Sequence, residues 1–281
     1  MKIALLDERA RSTMAPALEV REDVAVSDLR GAEAAVACDE NDAAVDDVIA
    51  AGIPLLVGVD ALCAHLDRLS AATNWQPLLP LVAAPDVIAA RKAVAEGRVG
   101  AITDVTITVY YGCPARRSWR DDEARPATEF ESAVWAADLA AEITRLKISR
   151  IDWLRRSSDE TGPSVAAYRL GGSIMAVVHH RQHAAGPGPA YTAAVHGSAG
   201  QLLLRQPFAP GGLAHWRSST REFIVPALPK HNPVSTPGGW EVHTLLDSLS
   251  AVTTRPDAGA RRRGRVLHVI RHLEKIYSEG A

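Results

Sequence analysis

The chain has 281 residues, 31 basic against 33 acidic and 47% hydrophobic, enough to bury a sizeable core in one large domain or two of ordinary size. The balanced charge argues against a nucleic acid or a membrane surface as partner, since both call for a basic excess, and no run approaches the ~18 consecutive apolar residues of a membrane span. Cys38, Cys63 and Cys113 are far apart in sequence and read as free thiols in a reducing compartment; the N-terminal MKIALLDERARS is too weakly apolar for a signal peptide, so a soluble cytoplasmic protein is expected.

In chain order, KIALL (2–6) is a short apolar run ending at Asp7, as a buried parallel strand would. AEAAVAC (32–38) is a second such run. In the segment that follows it, Asp39 or Asn41 can cap a helix that carries Val45, Val48 and Ile49 on one face and stops at Gly52. IPLLV (53–57) makes the next strand and DALCAHLDRLSAAT the next helix. This rhythm predicts a small parallel α/β unit with right-handed crossovers, to about residue 80.

Beyond it a helix from near Asp86 stops around Gly97 to Gly100 and feeds the strongly β run ITDVTITVYYG (102–112). A polar, Arg-rich loop (114–127) leads into the helix EFESAVWAADLAAEITRL. Strands then dominate: SRIDWLRRS, SVAAYRL, SIMAVVHHRQH, AYTAAVHG and GQLLLR. Gly171-Gly172 is a two-residue hairpin signal, because both turn positions tolerate positive φ. The Pro- and Gly-rich stretch 207–239 reads as a long loop, and helices are expected at about 240–252 and 260–278. The class is therefore α/β followed by α+β, the second part a mostly antiparallel open sheet with helices on one face.

Three stretches resemble the Gfo/Idh/MocA family, the glucose-fructose oxidoreductase and inositol dehydrogenase group. PDVIAARKAVAEGRVGAITDVTI is similar to its helix, Gly-x-hydrophobic-Gly turn and first sheet strand, with Pro85, Gly97 and Gly100 in place. AAVHGSAGQLLL is similar to its G-x-x-G hairpin, through Gly197 and Gly200, and residues 243–280 are similar to its final helix pair. The resemblance covers about three quarters of the chain and implies a shortened Rossmann-like domain, 1–80, and a sheet domain, 81–281.

It also implies an NAD(P)-dependent hydride transfer whose required groups are not visible. A Gly-rich turn after the first strand would let the pyrophosphate reach a helix N-terminus, but after KIALLD there is no glycine before Gly31. The acid expected at the end of a second strand, to hold the ribose, has no visible strand to stand on; the second βα unit reads as shortened or missing. The Glu-Lys-Pro positions are Gly58, Val59 and Asp60, and valine cannot transfer a proton. On the later helix Glu131 takes an Asp position and Trp135 a His position, with Asp138 matching a further family Asp. An indole N–H donates but is no base near neutral pH. The Arg that often precedes the next segment's proline is absent from Leu81 to Ala84.

Other clusters carry plainer readings. His179 and His183 share a face of an extended strand and His180 points away, so at most two could ligate one ion without a bulge or help from His196 on the next strand; surface or interface histidines at a strand end are the favoured reading. No metal site is expected. Glu131, Trp135 and Asp138 fall on one helical face and form either the floor of a remnant pocket for a small polar ligand such as a polyol or an ordinary packed Trp between two solvated acids. RRRGR (261–265) reads as a solvated helix start. Arg116, Arg117 and Arg120 can pair locally with Asp121, Asp122 and Glu123, and Cys113 has no visible His partner.

The expectation is a protein that has lost NAD(P) binding and hydride transfer, with no cofactor, and serves as a partner or regulatory subunit. It would associate as a homo- or hetero-oligomer through the open face of the second domain's sheet, whose apolar side needs covering. The alternative is an active NAD(P)-dependent oxidoreductase on a sugar, cyclitol or similar hydroxylated molecule, with a rebuilt site. A second alternative is a small-molecule binding protein using Gly58, Asp60, Glu131, Trp135 and Asp138.

Overall fold

The apolar runs near the N-terminus pair into a parallel sheet because each is flanked by enough chain to cross over and return in the same direction. In a computed structural model of the protein, the described residues are 1–18, 23–39, 44–79, 82, 85–112, 127–155, 164–183, 190–205, 213–218, 222–225 and 256–279. They fall into two compact units, Met1–Ala83 with Asn232–Leu267, and Ala84–His231 with His268–Ala281.

In the first unit, β1 (Lys2–Leu5), β2 (Ala25–Ser27), β3 (Ala34–Ala37), β4 (Leu55–Val57) and β5 (Trp75–Pro77) form one sheet in the order β2-β1-β3-β4-β5, with all pairings parallel. Helices α1 (Glu8–Leu18), α2 (Ala44–Ala50), α3 (Val59–Ala64) and α4 (Leu66–Ala71) lie between strands. Ala10, Met14 and Leu18 recur at helical spacing on α1 and are buried with Ile3, Leu5, Val36 and Leu56 in one cluster. Strand β3 is buried along its whole length, as a central parallel strand must be.

Three features differ from the sequence reading. A second strand is present: β2 pairs with β1, and a single 3-10 turn, Leu29–Gly31, carries the chain on to β3. With only three residues, and with Ala25 and Val26 exposed, it leaves no apolar run to detect. The helix expected over DALCAHLDRLSAAT is two, broken at His65, which leaves helical backbone values (φ −113°, ψ 23°). Strand β5 was also not anticipated; its Trp75 is buried, with the indole N–H donating to Leu69 O at 2.6 Å.

As the sheet's edge strand, β5 needs its outer main-chain groups satisfied. Leu55 N–H donates to Asn74 O and Leu78 N–H to Val57 O, which turns the groups of Trp75 and Pro77 outward. Pro77 has no N–H to leave unpaired. Trp75 O accepts from Arg263 Nη1 (3.2 Å), and Leu79 O accepts from Arg262 Nη2 (3.0 Å). Both arginines lie on the long helix α7 (Pro256–Glu279) and are half-buried, so the RRRGR segment is an anchor to β5, and only part of it is solvated.

In the second unit, α5 (Pro85–Ala95) is followed by β6 (Ile102–Gly112), α6 (Ala127–Thr144), β7 (Ile148–Arg155), β8 (Ser164–Leu170), β9 (Ile174–His183), β10 (Ala190–Gly197), β11 (Gly200–Arg205), β12 (Leu213–Ser218) and β13 (Glu222–Val225). The eight strands form a sheet in the order β13-β12-β11-β10-β6-β9-β8-β7, antiparallel except for the β6–β9 pair. Strands β12 and β13 lie inside the stretch expected to be a long loop; pairing with β11 outweighed its Gly and Pro content. The expected helix at 240–252 lies outside the described residues. Gly171 and Gly172 carry the positive φ (56° and 92°) of the anticipated hairpin.

Period-two alternation assigns the faces. Val105, Ile107, Val109, Ala166, Tyr168, Ala176, Val178, Ala193, Val195, Leu202 and Leu204 are buried, and Tyr168 O–H donates to Ala133 O of α6 at 3.1 Å, so this side is the helix-covered one. Leu203, Ala194, Thr106, Val177 and Ala167 line up across the other face; the first four are half-buried and Ala167 is buried. Polar pairs lie beside that row, His196 against Asp104 and Arg150 against Asp152.

The two glycine motifs interlock. Ala199 N–H donates to Val99 O and Ser198 N–H to Ala101 O, both at 2.9 Å, which brings the Gly97–Gly100 turn against the β10–β11 hairpin. A Cβ on Gly197 would collide with the Val99 carbonyl oxygen, a backbone atom that cannot swing aside. Gly197→Ala is therefore expected to lower the unfolding free energy by about 1–3 kcal/mol in a urea titration. Gly264→Ala, where a Cβ meets open space at an exposed position of α7, should raise it by up to about 1 kcal/mol. Equal midpoints for the two variants would contradict the close approach.

Candidate functional site

All five strands of the first unit are parallel, so their C-terminal ends share one edge of the sheet. Ligands of such sheets bind where the chain leaves adjacent strands in opposite directions. Here that point lies between β1, whose next strand is β2 on one side, and β3 on the other. Leu6 and Asp7 join β1 to α1, and the Asp7 carboxylate fills this position. Oδ1 accepts from Ala10 N–H in the first turn of α1 (2.7 Å); Oδ2 accepts from Cys38 N–H (2.6 Å) and Asp39 N–H (3.2 Å) at the end of β3. A helix N-terminus is an anion site by virtue of its free N–H groups and dipole, and the anion on it is the chain's own.

Asp7 was read from sequence only as the end of a strand. The signal was available: an Asp immediately before a run of helix formers is a capping residue. The missing ribose acid also needs correction. Strand β2 ends at Ser27, and Asp28 follows it, in the place the family resemblance assigns to that acid. Its side chain accepts from Gly31 N–H at 3.2 Å and caps the 3-10 turn.

The Gly58-Val59-Asp60 segment joins β4 to α3. Gly58 precedes the helix, with its N–H donating to Ala37 O at 2.7 Å. A Cβ there would stand 3.1 Å from Cys38 Cα and 3.2 Å from Cys38 O, so the two strand ends approach too closely for the glutamate of a Glu-Lys-Pro motif without a shift. Val59 is only 2% exposed and belongs to the core. Asp60 is half-buried in the first turn of α3 and has partners of its own.

Glu131, Trp135 and Asp138 lie on α6 in the second unit, at the expected one-face spacing. Glu131 and Trp135 are half-buried, but Asp138 is 1% exposed, so it is not a solvated acid. All three have interaction partners. Glu142, one turn further along, accepts from Arg91 Nη1 of α5 at 3.1 Å.

His179 is half-buried opposite Thr108 of β6, and the side chains of His180 and His183 lie outside the described residues. His196 cannot join His179: β6 separates their strands, and His196 is in register with Asp104, four residues along. Among the described residues no group of three metal-ligating side chains occurs. Cys38 and Cys63 are buried and in no disulfide; Cys113 and the Arg-rich loop at 113–126 lie outside the described residues.

Val59→Lys would set an ammonium among apolar neighbours, where its charged form is penalised. A loss of about 2–5 kcal/mol in denaturant unfolding is expected, with no NAD(P)-linked turnover. Unchanged stability together with turnover would mean that position 59 faces a working site.

No protein-family model and no curated protein matches the sequence. The fold is similar to that of a dehydrogenase from Chromobacterium violaceum, at TM-score 0.73 and 12% identity over 99% of this chain and 94% of that one. It is also similar to a levoglucosan dehydrogenase solved with NADH and L-sorbose (TM-score 0.68, 13% identity, 99% and 97% covered). A 3-ketoreductase from Actinomadura kijaniata, solved with NADP and TDP-benzene, is similar at TM-score 0.66 and 14% identity over 96% and 95%. The chain thus has the fold of these oxidoreductases, a parallel Rossmann-like sheet followed by a mixed sheet with helices, as the Gfo/Idh/MocA resemblance implies.

Proposed function

We propose that this oxidoreductase-fold protein does not hold a dinucleotide in the usual way and acts as a non-catalytic partner subunit. The Asp7 carboxylate carries this reading. Three backbone N–H groups that could cradle a pyrophosphate are already bound to a negative charge. A phosphate brought to about 4 Å of that carboxylate would meet a repulsion on the order of 4 kcal/mol at an effective dielectric near 20. The buried Val59 and the indole of Trp135, at the positions of the implied proton-transfer groups, support the same reading. The half-buried row Leu203, Ala194, Thr106 and Val177, continued by the buried Ala167, is a largely apolar surface suited to sheet-on-sheet association, which is where the partner is proposed to dock.

The second reading is an active NAD(P)-dependent oxidoreductase on a hydroxylated small molecule. Two observations favour it: the similar folds solved with NADH and NADP, and Asp28 at the end of β2. Following nicotinamide fluorescence while titrating NADH and NADPH separates the two. The first reading expects no saturable binding to the wild-type chain; micromolar binding overturns it in favour of the second. Asp7→Ala should lower stability by about 1–3 kcal/mol through the lost capping bonds, and of the two chains it alone should gain affinity for the dinucleotides.

A further inference from the structure

We draw no further inference here: the strongest candidate, the largely apolar row on the open face of the second unit's sheet, is the docking surface already proposed, and nothing among the described residues shows what covers it.

Discussion

One carboxylate organises the C-terminal edge of the parallel sheet. Asp7 binds the first turn of α1 and the main chain leaving β3, so it fixes the direction of that helix and the position of the neighbouring strand end at once. Hydrogen bonds to an ionised acceptor are stronger than neutral ones, which suits a group holding two elements together. The same contacts fill the position from which doubly wound folds receive a phosphate. The structural tie and the loss of a binding mode proposed above both rest on this single side chain.

Gly58 belongs to this arrangement. Its N–H bonds to Ala37 O, and its lack of a Cβ lets β4 run close beside Cys38. Val59 then turns into the core as the helix begins. A segment that reads as chemically blank is therefore a packing solution: close strand ends need glycine, and a buried first helical turn needs an apolar residue. The second unit uses the same physics at Gly197, where a hairpin meets the Val99 carbonyl and the two turns exchange hydrogen bonds.

Much of the architecture was legible in residue patterns. Alternation along 102–112, 164–170 and 174–183 announced strands, and the Gly171-Gly172 pair announced their hairpin, because glycine is the residue that accepts positive φ without strain. The elements that escaped detection share a cause. Strands β2 and β5 have three residues each, too few for a period to register, and β12 and β13 sit in a stretch whose turn residues mask their pairing. Arg262 and Arg263 looked like a solvated run because nothing in their composition reveals that the carbonyls of Leu79 and Trp75 lie beside them.

The sequence by itself determined the fold class, the order of the long elements, the glycine turns and the absence of a glycine-rich phosphate loop, since these rest on local periodicity and on what each residue type can do with its own backbone. Only the tertiary structure decided what replaces that loop. That the Asp7 carboxylate reaches residues 38 and 39, that Asp28 follows a strand and that Asp138 is buried all depend on which segments the sheet and helices bring together. Contacts between residues distant in sequence are set by packing, and no local pattern encodes them.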